Sequence, residues 1–126
     1  MDRTFLVLAA VFGFLAVALG AFGAHGLERM LAEAEDGARG MQWWTTAAHY
    51  HLTHAIALGL VAWAASRSPS TAAAVAGWAF VAGMVVFSGS LYVMTITGLR
   101  WLGAITPIGG VTLLVGWAAL AVAATR

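Results

Sequence analysis

Four long apolar runs without a charged side chain limit what this chain can fold into. They extend over residues 4–24, 45–65, 71–97 and 101–124, and none contains Asp, Glu, Lys or Arg. Each run supplies the roughly 20 residues that a helix rising about 1.5 Å per residue needs to cross a hydrocarbon core of about 30 Å. The chain is 62% hydrophobic and 9% charged, whereas a soluble domain is about 25% charged. The sequence therefore predicts an all-α membrane protein.

The four runs occupy nearly the whole chain, which predicts a single membrane domain over residues 1–126. Because most connections are short, we expect a multi-pass, up-down four-transmembrane-helix bundle. The long connection, residues 26–44, has apolar residues on one face, which predicts a short amphipathic helix between helices one and two. Gly37 and Gly40 are expected to end that helix. The first run exceeds the about 7–15 apolar residues of a signal peptide and is expected to remain as a span.

Composition and glycine placement exclude several classes of function. The absence of cysteine excludes disulfides and thiolate chemistry. A net charge of +1 gives no reason to expect nucleic acid, and no stretch resembles a phosphate-binding glycine loop. Small residues instead recur at three- and four-residue spacing, which lets helices approach closely in lipid. We expect these stripes to pack within the bundle, with a homo-oligomer contact as the alternative; they are Ala9, Gly13, Ala16, Gly20 and Ala24 in the first run, and Gly109, Thr112, Gly116, Ala119 and Ala123 in the fourth.

Polar residues concentrate in one half of the predicted membrane domain. In an up-down bundle this half contains the end of the first run, the start of the second, the end of the third and the start of the fourth. His54 lies near the middle of its run, where an unpaired polar group is costly, so it should face the interior with Tyr50 one turn before it. Pro107 predicts a kink that frees a carbonyl toward the same region. We therefore expect a polar cluster or ligand site formed by His25, Tyr50, His54, Ser88, Ser90, Tyr92 and Thr106.

Four motifs in order resemble a known family. They are GAFGAHGL, TAAHYHLTHAIAL, FSGSLY and TPIGGVTLLVGWAAL. Together they are similar to the small four-helix bacterial inner-membrane proteins of domain of unknown function 423, which also has eukaryotic relatives. The resemblance implies the fold and the membrane, and no activity. His49 and His51 lie outside the family pattern; the resemblance implies importance for His25, Tyr50, His54, Ser88, Gly89, Ser90, Tyr92, Thr106, Pro107, Gly109 and Gly110.

Two classes of function follow from these residues. The first is a non-enzymatic membrane component: an accessory subunit of other membrane proteins, or a binder of lipid, quinone or another small molecule. The second is a proton- or metal-linked transporter or membrane enzyme that uses His25 and His54. A metal site, a proton-coupled transporter and a hydrolase all normally need an acidic partner, and no run contains a carboxylate. The first class is therefore favoured, without catalytic residues, metal or cofactor.

The orientation of the bundle in the membrane does not follow from its charges. Arg3, Arg67 and Arg126 lie on the side of the termini, and as many arginines, at positions 29, 39 and 100, lie on the other side. Some similar proteins carry a basic C-terminal tail that this chain lacks, and basic residues remain in the cytoplasm. The resemblance therefore favours cytoplasmic termini in the bacterial inner membrane.

Overall fold

The computed structural model describes residues 2–126, which are helical throughout apart from short turns. Helix α1 continues through a π-helical turn into α2, and a 3₁₀ turn precedes α5. No strand occurs within residues 2–126, so the all-α prediction is confirmed. The elements are α1 (Asp2–Phe22), the π turn (Gly23–Leu27), α2 (Glu28–Leu31), α3 (Gly37–Arg67), α4 (Thr71–Thr97), the 3₁₀ turn (Arg100–Ala104) and α5 (Thr106–Ala124).

Three of the four predicted spans correspond to helical stretches long and apolar enough to cross a membrane. They are Arg3–Leu31, Thr71–Thr97 and Arg100–Ala124. Helix α3 is long enough, at 31 residues, but its three histidines lower its hydropathy below that of the others. Its predicted crossing therefore requires that the rest of the protein accommodate the two buried imidazoles, His51 and His54.

Each long helix packs mainly against its neighbour in sequence: α1 on α3, α3 on α4 and α4 on α5, whereas α3 and α5 meet at few points. The buried face of α3 repeats at alternating three- and four-residue spacing, which is typical of left-handed bundle packing. Tyr50 is absent from this face, whereas two histidines belong to it. The residues of this buried face are Trp44, Ala47, His51, His54, Leu58, Val61 and Ala65.

The connection between α1 and α3 is more compact than predicted. The expected short helix is present as α2, which has only four residues. Gly37 and Gly40 were expected to end a helix, but they lie at the start of α3. Both are buried, and a Cβ atom on Gly37 would overlap the Leu31 carbonyl. Only a glycine permits that approach, which lets the chain reverse direction within residues 32–36. Helix α3 therefore begins eight residues before the predicted span.

The predicted kink at Pro107 is not observed. Pro107 lies in the first turn of α5, where the missing amide hydrogen would have had no partner within the helix. The chain changes direction just before it, through the 3₁₀ turn and through Gly98, whose positive φ of 74° ends α4. Asp36 and Arg100 form an exposed ion pair between this connection and the α1–α3 turn.

The small-residue stripe of α5 packs inside the bundle, as expected. Gly109 lies against the Phe87 backbone and Gly116 against the Phe80 ring. The stripe of α1 is more open, because a Cβ on Gly13 or Gly20 would meet no atom within 4 Å. A homo-oligomer contact through α1, the alternative stated above, stays a prediction.

Candidate functional site

The polar residues of the predicted cluster form several separate contacts between helices. The Ser88 hydroxyl donates to the Ala47 carbonyl over 2.8 Å, which joins α4 to α3. The hydroxyls of Ser90 and Thr106 share a hydrogen bond of 2.6 Å, which joins α4 to α5. These residues do lie in the same half of the bundle, but their polar atoms are occupied by neighbouring helices. These hydrogen bonds therefore hold neighbouring helices together.

His51 is the centre of a second contact, between α3, α4 and α1. It is only 5% exposed, and its Nδ1 lies 2.9 Å from the Tyr92 hydroxyl. The Phe12 ring and the imidazole pack edge to face, with a centroid distance of 5.8 Å. Nε2 has no hydrogen-bond partner within residues 2–126. The resemblance had excluded this histidine, yet its position on the three-and-four-spaced face of α3 could have identified it.

Trp44 extends the contact around His51. Its ring lies 4.5 Å from that of Tyr92, measured between centroids, and its indole N–H donates to the Leu19 carbonyl over 2.8 Å. Leu19 lies in the last turn of α1, so this hydrogen bond joins α3 to α1. Trp44 is not among the predicted site residues, so this role was missed.

His54 lies in the interior, 4% exposed, and both ring nitrogens are engaged. The Trp117 indole N–H donates to Nε2 over 3.0 Å. Since an indole can only donate, Nε2 accepts and Nδ1 carries the hydrogen, which it donates to the Tyr50 carbonyl over 2.6 Å. His54 is therefore a neutral imidazole with a fixed tautomer. Its partner on another helix is Trp117, rather than His25 or the segment 88–92 that we expected.

His25 does not join the other predicted site residues. It lies in the π turn and is exposed. Gly23 and Leu27 in the same turn are both buried, and Gly23 contacts the Trp44 ring. Because His25 lies midway between these two inward-facing residues, it faces away from the bundle. The expectation that His25 forms one wall of a polar cluster is wrong.

A groove between α3 and α5, which we call the α3–α5 groove, contains Tyr50 and His54. Its volume is about 430 Å³. The Tyr50 and His54 rings are nearly parallel, with an angle of 8° between their planes. Tyr50 is 41% exposed, and its hydroxyl makes no hydrogen bond to another described residue. The groove is lined by Tyr50, His54, Phe87, Pro107, Gly110, Val111, Leu113, Leu114 and Trp117.

The α3–α5 groove opens on the outer surface of the bundle, in the part predicted to span the membrane. On α5 its lining extends from Pro107 to Trp117, a rise of about 15 Å. Val111 and Leu114 on its rim are 60% and 67% exposed. The opening therefore faces the bilayer, from one interface to about mid-depth.

Trp117 is the groove residue that the sequence analysis missed. It lies well inside the fourth apolar run, away from the interfaces where tryptophans usually anchor helices. An indole N–H at that depth needs an acceptor, and His54 is the polar residue at matching depth on α3. This pairing requirement is a signal that could have identified it.

The described residues contain no group of three or more His, Cys, Asp or Glu side chains close enough to hold a metal ion. His54, the central histidine of the metal hypothesis, has both nitrogens engaged. The expectation of no metal and no cofactor stays a prediction.

Comparison with known proteins gives a consistent assignment. The family described as "Protein of unknown function (DUF423)" matches residues 19–110. The UPF0382 membrane protein YwdK of Bacillus subtilis is 43% identical over 98% of this chain and 98% of its own length. The UPF0382 inner membrane protein YgdD of Escherichia coli is 40% identical over 99% of this chain and 92% of its own. No solved structure matches the chain.

Proposed function

We propose that this chain, which belongs to the DUF423 family of membrane proteins, binds a bilayer-soluble molecule in the α3–α5 groove. In this proposal it is a non-enzymatic component of the inner membrane. The observation that carries the proposal is a bilayer-facing groove of about 430 Å³ whose wall contains a hydrogen-bonded pair, the buried His54 and the partly exposed Trp117. Mostly apolar pockets with a few placed polar groups are typical of small-molecule sites.

The chemistry of His54 favours binding over proton transfer. Both of its nitrogens already have partners in the folded chain, so a transferred proton would have to break one of these hydrogen bonds. A proton-transfer scheme that pairs His54 with His25 also requires these side chains to be close together. They lie apart, and His25 is exposed. No observation favours the transporter or enzyme alternative.

The proposal predicts that a small molecule copurifies with the protein and depends on the groove. Gly110 lines the groove, where a Cβ would meet only the Phe87 ring at 3.7 Å. A leucine there would fill part of the space without overlapping the backbone. We expect mass spectrometry of solvent extracts to find about one molecule per chain in the wild type and little in Gly110→Leu.

Gly59→Leu is the matched control, because a Cβ at Gly59 would meet no atom within 4 Å and Gly59 lies outside the groove. It should carry the same molecule as the wild type. Equal amounts of the molecule in all three proteins, or none in the wild type, would contradict the proposal.

Cytoplasmic termini are the second part of the proposal. The groove begins at the end of the bundle that carries the α1–α3 turn, so this orientation places its opening in the outer half of the membrane. A C-terminal alkaline phosphatase fusion should be inactive, because the enzyme needs the oxidising periplasm to form its disulfides. A C-terminal green fluorescent protein fusion should be fluorescent. An active phosphatase with a dark fluorescent protein would reverse the orientation.

A further inference from the structure

We propose that the ligand of the α3–α5 groove is a neutral planar ring bearing a carbonyl oxygen, the chemistry of a quinone headgroup. This inference rests on the proposed function and specifies the ligand of the same groove. It is carried by three features of the groove: its aromatic lining, its lack of charge and a single free hydroxyl donor.

The lining of the groove suits a flat ring. Tyr50, Phe87 and Trp117 all contribute aromatic surface, and the Tyr50 and Phe87 rings lie 4.6 Å apart between centroids. Aromatic rings attract other flat rings in stacked or edge-to-face arrangements. A volume of about 430 Å³ lies toward the lower end of the about 300–1,000 Å³ typical of ligand pockets. It suits one ring and the start of a chain better than the paired acyl chains of a phospholipid.

The polar atoms of the groove select an uncharged acceptor. None of the residues lining it is Asp, Glu, Lys or Arg, so a charged ligand would lose its hydration without a compensating partner. His54 and the Trp117 indole already bond each other. The free Tyr50 hydroxyl can donate a hydrogen bond, and a carbonyl oxygen is an uncharged group that accepts one.

The open side of the groove fits a ligand with an apolar tail. The exposed side chains of Val111 and Leu114 form its rim. A ring could therefore bind inside while its hydrocarbon chain remains among the lipids. A water-soluble ligand would gain nothing from such an opening.

The test compares two rings of the same shape. Duroquinone and durene both carry four methyl groups on a six-membered ring, but only duroquinone has carbonyl oxygens. Binding is measured by calorimetry on the protein in nanodiscs, with empty nanodiscs correcting for partitioning. We expect duroquinone to bind about tenfold more tightly than durene, the effect of one hydrogen bond made in an apolar site.

Two tyrosine variants localise the effect. Tyr50→Phe should remove the difference between the rings, because it deletes the donor and retains the aromatic surface. Tyr92→Phe makes the same change outside the groove and should preserve the difference. Equal affinities for the two rings in the wild type, or a preference that survives Tyr50→Phe, would overturn the quinone-type ligand.

The two proposals can fail separately. If a Gly110-dependent molecule copurifies but is a lipid without a ring, the binding function stands and the ligand class is wrong. If nothing copurifies and neither ring binds, both proposals fail.

Discussion

Replacing Gly109 with alanine is expected to reduce the free energy of unfolding by about 1–3 kcal/mol, the usual cost of overpacking a filled interface. A Cβ on Gly109 would overlap the backbone nitrogen and Cα of Phe87 on α4. Backbone atoms in the middle of a helix cannot move aside as a side chain can, so α5 would have to shift away from α4. The thermal unfolding temperature in detergent, followed by circular dichroism, should fall by several degrees.

Gly110→Ala is the matched control, because it adds the same methyl group one residue later. Its Cβ would meet two Phe87 ring carbons at 3.7 and 3.8 Å, which is ordinary van der Waals contact. We expect its unfolding temperature to stay within about a degree of the wild type. If both variants are equally stable, α5 does not approach α4 as closely as the structure has it.

The helices were predictable because each long apolar run enters the lipid as one whole segment. Any run of about 20 residues without a charge must satisfy its own backbone hydrogen bonds, which makes it helical wherever it packs. The grouping of polar residues in one half of the bundle was predictable for a similar reason, since short connections fix which helix ends lie together. Neither argument identifies which face of a helix points inward.

The partners of the histidines were missed because each depends on the rotation of a helix about its axis, which the polar residues of that helix alone do not fix. On α3, an inward face through Tyr50 and His54 competes with one through His51 and His54, and the centres of these two faces are only about 50° apart around the helix. The buried residues Ala47 and Leu58 lie on the face through His51 and His54, so that face points inward. His25 was assigned to the cluster because it lies at the same end of the bundle, but it is exposed on the π turn.

His54→Leu is expected to reduce stability by about 1–3 kcal/mol, the cost of leaving a polar group without a hydrogen-bond partner where water cannot replace it. Leucine fills a similar space, so little packing is lost. The Trp117 indole N–H, however, loses the acceptor 3.0 Å away and has no water at mid-depth to replace it. The thermal unfolding temperature in detergent should fall, whereas His49→Leu, the same change at an exposed position on the same helix, should leave it unchanged.

The double variant His54→Leu with Trp117→Phe separates this cause from a general loss of packing. The phenylalanine side chain has no N–H, so the second change removes the group that the first one left without an acceptor. Removing both partners of a buried hydrogen bond is often far less costly than removing one. We therefore expect the double variant to unfold at a higher temperature than His54→Leu alone, although it carries one more substitution. If the losses of stability caused by the two substitutions are additive, the imidazole and the indole contribute independently. Their hydrogen bond in the wall of the groove then contributes no coupling energy.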